Sequence, residues 1–170
     1  MRAPLELTRA QILGFRRRVG ALDARLPPGR RSLRQAAWAG LQDSMPRAAL
    51  LSIHARVEGT APSTWRDPSL VQLWGPRYSA YVVPARDVAP FSLGRLPDNE
   101  KGRARAADMA ARLSAALGNG RMGADEVATA IGVHNAIRYA ATTGSILISW
   151  DGARQPLVWM VPPQIGRAHV

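Results

Sequence analysis

A mainly helical α+β fold, two three-helix units each closed by a small β-hairpin, is what this sequence predicts. Three observations predict it. Apolar residues recur at helical spacing in six segments, two pairs of short β-rich runs follow the third and the sixth, and Pro and Gly punctuate the boundaries. A chain of 170 residues, 46% hydrophobic, can bury one ordinary core or two small ones.

Taken in order, Thr8 is placed to cap a first helix in which Ile12, Phe15, Val19 and Leu22 form the apolar stripe, with Arg9 and Arg16 to Arg18 on or near its other side. Pro27, Pro28 and Gly29 break the chain. Ser32 is then read as the cap of a second helix with Leu33, Ala36, Ala37 and Leu41 inward. Pro46 suits the first turn of a third, in which Leu50, Ile53, His54 and Val57 share a face, so a structural, buried histidine is expected there. Two extended runs follow, Leu70–Trp74 and Tyr78–Val83, separated by Gly75 and Pro76.

The second half repeats this outline. A long helix is predicted over Asn99–Leu117, with Ala106, Met109, Ala110, Leu113 and Leu117 on one face and Gly118-Asn119-Gly120 as its stop. Shorter helices are expected over Ala124–Ile131 and His134–Thr142. The runs SILISW and PLVWMV flank Asp151-Gly152-Ala153-Arg154, a hairpin signal because Asp-Gly tolerates the positive φ of a tight turn. Three helices and a hairpin make a winged helix, so the expectation is tandem winged-helix units at 1–97 and 98–164. The last six residues, IGRAHV at 165–170, read like the translation of a sequencing-adapter oligonucleotide. They are expected to be a non-native tail on a chain that naturally continues beyond about Gln164.

Composition narrows the function. No run of 18 uncharged apolar residues occurs and the N-terminus lacks a signal-peptide core, so a cytoplasmic protein away from the membrane is expected. With no cysteine and three scattered histidines, thiolate chemistry is excluded and neither a metal site nor a cofactor is expected. The 23 Lys and Arg against 12 Asp and Glu leave a net charge of +11, and Lys101 is the only lysine. Arginine forks grip phosphates and base edges and release condensed counterions, so the expected partner is double-stranded DNA. On the helix after His134, Asn135, Arg138, Tyr139 and Thr142 fall at i, i+3, i+4 and i+7 and are candidates to face the major groove. Arg154 at the second hairpin tip is the candidate wing contact.

Three stretches resemble one family: GLQDSMPRAALLSIHARVEG at Gly40–Gly59, SLVQLWGPRYSAYVVPARD at Ser69–Asp87 and ILISWDGARQPLVWMVPP at Ile146–Pro163. Together they are similar to the AlkZ-like winged-helix DNA glycosylases, and the likeness runs over nearly the whole chain to Pro163. It implies tandem winged helices around a DNA channel and hydrolysis of the N-glycosidic bond of alkylated bases or interstrand crosslinks. The family's motif, Gln-x-Gln or Gln-x-Asp ahead of Pro-Arg, falls on Gln42, Asp43 and Ser44 before Pro46-Arg47. Ser44 stands where the motif has Gln or Asp. The Arg-Gly-Thr-Leu-His run of the first wing reads Arg77, Tyr78, Ser79, Ala80, Tyr81. The resemblance thus nominates Gln42, Asp43 and Ser44 for catalysis, with Arg47 and Arg77 as phosphate ligands, while Tyr81 is read as a packing residue. Glycosidic hydrolysis needs a positioned water and stabilisation of an oxocarbenium-like charge. An enzyme, a DNA-binding protein without catalysis such as a transcriptional regulator, and a protein-interaction module all remain open at this point. The sequence leaves the oligomeric state undetermined.

Overall fold

The computed structural model describes residues 5–45, 47–150 and 155–161. Along the chain run helix α1 (Arg9–Val19), α2 (Arg30–Ala36), strand β1 (Leu41–Gln42), α3 (Ala48–Arg56), β2 (Leu70–Trp74), β3 (Ala80–Pro84) and α4 (Val88–Ser92). Then follow α5 (Glu100–Leu117), β4 (Met122–Gly123), α6 (Ala124–Ile131), α7 (Ala136–Ala140), β5 (Ile146–Ser149) and β6 (Leu157–Met160). The fold is α+β. No helix among the described residues is long and apolar enough to cross a membrane.

Side-chain caps start helices α1 and α5. Thr8 accepts from the Gln11 amide at 3.2 Å while the Gln11 side chain accepts from the Thr8 amide at 2.8 Å, a reciprocal box that satisfies two otherwise orphaned donors. Asn99 accepts from the Gly102 amide at 2.7 Å and starts α5. Helix α6 stops at Gly132, whose φ of 70° only glycine adopts cheaply. The cap expected at Ser32 is not one: α2 begins after Gly29, and Ser32 is buried inside the helix. Leu41, expected on the same helix, belongs to β1 instead, because α2 ends at Ala36 and the chain then extends to pair with β3.

The strands form one sheet, ordered β1-β3-β2-β5-β6-β4, with every neighbouring pair antiparallel. The two hairpins predicted separately are joined where Gln72 of β2 faces Ile148 of β5. Period-two alternation sends successive side chains to opposite faces. Val82, Ile146 and Ile148 accordingly pack under the helices, against Leu33 and Ile53 on one side and Leu113, Val127 and Ala140 on the other. Their neighbours Tyr81, Val83 and Leu147 pack on the opposite face with Leu73, Val88 and Phe91. Helix α4, hidden from sequence reading by Pro84 and Pro90 in a segment that reads as irregular, covers that second face.

Two expectations about burial fail. Helix α1 buries none of its residues, and Phe15 is 68% exposed. Its stripe is real, but no described element lies against it. His54 is exposed as well, with Nδ1 2.7 Å from the Thr60 hydroxyl. Ile53 and Val57 hold the inward line of α3, and the next position is turned about 100° from Ile53.

Candidate nucleic-acid interface

The nominated triplet lies on and just after an edge strand, not on a helix. Gln42 pairs with Tyr81 across β1 and β3, and the Asp43 amide donates to the Ala80 carbonyl at 2.8 Å. On an extended backbone adjacent side chains oppose each other, so Gln42 faces solvent and Asp43 faces the core. Asp43 is only 4% exposed. One of its oxygens accepts from the Ala49 amide at 2.9 Å, in the first turn of α3, and the other from Gln72 Nε2 at 2.6 Å. Gln72 Oε1 in turn accepts from the Trp150 amide at 2.6 Å. Asp43 therefore ties α3, β2 and the strand end after β5 together. Burial pushes its carboxyl above the ordinary aspartate value, against the pull of these hydrogen bonds. With both oxygens committed inside, Asp43 is a structural residue in this geometry.

Gln42 is held by side chains. Its Nε2 donates to Ser44 Oγ at 3.2 Å and to Ser79 Oγ at 3.3 Å, and its Oε1 accepts from Arg77 at 3.3 Å. Because a guanidinium can only donate, the amide orientation follows from Arg77. A carbonyl oxygen accepts twice, and among the described residues only Arg77 donates to Gln42 Oε1, which leaves a second acceptor position for a water. Ser44 is thus a hydrogen-bond partner of Gln42. Arg77 also donates to the Tyr81 hydroxyl at 3.2 Å, while the Tyr81 ring is buried in the sheet core. Gly75 makes room for that ring, since a Cβ there would come within 2.6 Å of Tyr81 Cδ2.

The turn between β2 and β3 is unusual. The Ser79 amide donates to the Pro76 carbonyl at 3.3 Å, and the two central residues, Arg77 and Tyr78, have φ of 53° and 56°. Such a left-handed pair normally calls for Asn-Gly, and bulky residues there cost about 1–2 kcal/mol each. The strain presents both side chains outward. Arg77 reaches Gln42, and Tyr78 lies under Arg138, whose guanidinium carbon is 5.2 Å from the ring centroid. Arg47, at the start of α3, is exposed and also left-handed, with φ 68°.

Of the face expected to enter a groove, Arg138 alone is exposed. Helix α7 is a single turn, followed by a 3₁₀ turn at Ala141–Thr143. That tightening turns Thr142 inward, where it is 8% exposed and its hydroxyl donates to the Tyr139 carbonyl at 2.8 Å. Tyr139 is half-buried under Arg105, 3.9 Å from its centroid, and Asn135 is half-buried at the helix start. The four residues therefore do not form one outward face. Arg154 and its turn lie outside the described residues. Sequence reasoning missed Tyr78, Arg95, Arg105, Ser79 and Gln72. Only the strained Arg-Tyr turn carried a signal, since Gly-Pro before it marks a loop.

The α+β fold of this chain has a counterpart among solved structures. Across 96% of this chain and 52% of the other, it is similar to the solved structure of the Streptomyces sahachiroi DNA glycosylase AlkZ, with a TM-score of 0.66 and 15% sequence identity. The chain thus spans about half the length of that structure. No protein-family model matches the sequence. No curated protein does either.

Proposed function

We propose that this chain is a DNA-binding unit built on winged-helix-like halves, divided near 97, and that it belongs to a DNA-glycosylase-like protein acting on double-stranded DNA. Gln42 holds the water that hydrolyses an N-glycosidic bond. The observation that carries this reading is the Gln42 carboxamide itself: exposed, fixed by Ser44, Ser79 and Arg77, and left by the described residues with one acceptor position. A water donating there keeps a lone pair for the sugar carbon. As that bond forms, the bond from the sugar to the cationic alkylated base breaks, the base leaves neutral, and the water's proton passes to solvent because a carboxamide does not take it. Arg77 places positive charge next to that water, where a phosphate would neutralise it. Arg47, Arg77 and Arg138 supply backbone contacts around the site.

The test is incubation of the purified chain with a duplex carrying one N7-methylguanine, followed by alkaline cleavage of abasic sites. Strand scission is expected, and Gln42→Ala is expected to slow it by about 10²-fold, as for loss of a group that positions a reactant. Binding without scission would remove the hydrolytic part.

A second reading, DNA binding without catalysis, is favoured by one feature. The only carboxylate of the triplet is turned into the core, so the oxocarbenium-like charge meets no anion from it. Undamaged duplex bound in a salt-dependent manner, with no scission of any alkylated duplex, is the outcome that reading requires.

A further inference from the structure

Beside the Gln42 cluster, and sharing Arg77 with it, lies a cleft of about 400 Å³ between the β2–β3 turn, the first turns of α5 and helix α7. Its size is within the range of about 300–1,000 Å³ typical of small-ligand sites. Three guanidinium groups line it, Arg77, Arg95 and Arg138, and among the described residues no carboxylate does. Another cleft, about 410 Å³ near Pro28, is different: Glu58 and Asp67 stand among its cations, and Arg30 pairs with Asp67 at 3.6 Å. Charge there is balanced within the protein. In the Arg77 cleft no described residue of the lining balances it.

Arg95 makes the point most clearly. It is half-buried, it donates to the Trp74 carbonyl at 2.8 Å, and burial holds its pKa below the usual arginine value. A desolvated cation resting on a neutral carbonyl is stabilised further by any anion that enters. Aromatic surface completes the lining. Tyr78, 57% exposed, and Tyr139 both contribute, and each has one guanidinium against its ring. The Arg77-Tyr78 turn keeps left-handed backbone at two bulky residues, which persists only when surrounding structure over-determines it. Those two side chains are the ones that form one wall of the cleft.

We propose that this cleft holds a single unstacked nucleotide, its phosphate on Arg77, Arg95 and Arg138 and its base on the Tyr78 ring in the place Arg138 now occupies. A planar π-face and an anion separated by a sugar match an aromatic wall beside a guanidinium cluster. The site differs from Gln42 in kind: it captures, and carries no hydrolytic group. It rests on the DNA-binding reading only for the source of the nucleotide, an extrahelical one in a duplex.

Two measurements test it. The first compares binding of a fully paired duplex with the same duplex carrying one bulged adenosine, by fluorescence anisotropy. The bulged duplex is expected to bind about tenfold tighter or more, within what one base–aromatic stack contributes. That ratio should fall to about one in Tyr78→Gly, and also in Arg138→Gln, which leaves the turn intact. The second titrates the protein with dAMP alone, following aromatic NMR signals. Saturable shifts at Tyr78 and Tyr139, weaker with deoxyadenosine lacking the phosphate, are expected. Tyr78→Gly should abolish binding while raising the melting temperature, because glycine relieves the left-handed strain. A wild type that shows no preference for the bulge and no response to millimolar dAMP overturns the proposal, even if both duplexes bind and the duplex interface stands. Capture of dAMP without affinity for either duplex supports the cleft and removes the DNA-binding reading.

Discussion

Helices α1 and α5 begin alike and end differently. Each has a side-chain cap and an apolar stripe at helical spacing. Helix α5 buries Ala106, Met109, Leu113 and Leu117 against α6, α7 and the sheet, whereas α1 buries nothing and leaves Phe15, Leu13 and Val19 in solvent. Periodicity therefore specifies a helix and its sidedness, and only the presence of a complementary surface turns a stripe into core. The energetic weight of the two helices should differ accordingly.

The largest effect is expected at Leu113, which is fully buried. Leu113→Ala should lower unfolding free energy by about 2–5 kcal/mol in chemical denaturation, the range for a cavity left by a buried leucine. Asp43→Ala should cost about 1–3 kcal/mol, because it strands the Ala49 amide and the Gln72 amide in a buried seam. The same carboxyl sets a pH dependence. Its folded pKa is raised, so the folded state holds the proton more tightly than the unfolded chain. The stabilisation from that proton is fully present below the ordinary aspartate pKa and is lost as pH rises through the folded value. Stability curves measured against pH should lose this component in Asp43→Asn.

Smaller effects belong to α1. Thr8→Ala removes one half of the capping box and should weaken that helix by about 0.5–2 kcal/mol, read as faster amide exchange in its first turn with little change in global melting. Phe15→Ala should change stability by less than about 0.5 kcal/mol in thermal unfolding, as surface substitutions do. A loss near that of Leu113→Ala would show that the α1 face is covered in solution and would erase the contrast between the helices.

Adjacent residues repeat the contrast on a smaller scale. Gln42 and Asp43 were legible together as a motif, and a helical reading would have set them about 100° apart. An edge strand two residues long sets them on opposite sides instead. Nothing near Leu41 in the sequence announces that strand, because its partner, Val82, is far along the chain. Thr142 misled for a related reason: the i, i+7 spacing holds only if the helix continues, and α7 gives way to a 3₁₀ turn after Ala140.

By itself the sequence determined what four or five neighbouring residues can decide. The cap at Thr8, the long helix ending at Leu117, the span Ala124–Ile131, the strand Leu70–Trp74 and the α+β class all follow from local hydrogen bonds and periodicity. Tertiary structure alone decided which stripe is core, that two hairpins make one sheet through Gln72 and Ile148, and that Arg77, Arg95 and Arg138 share a cleft. Those outcomes depend on pairings between residues tens of positions apart, whose geometry is set by the packing of the whole chain and leaves no periodic trace in any one segment.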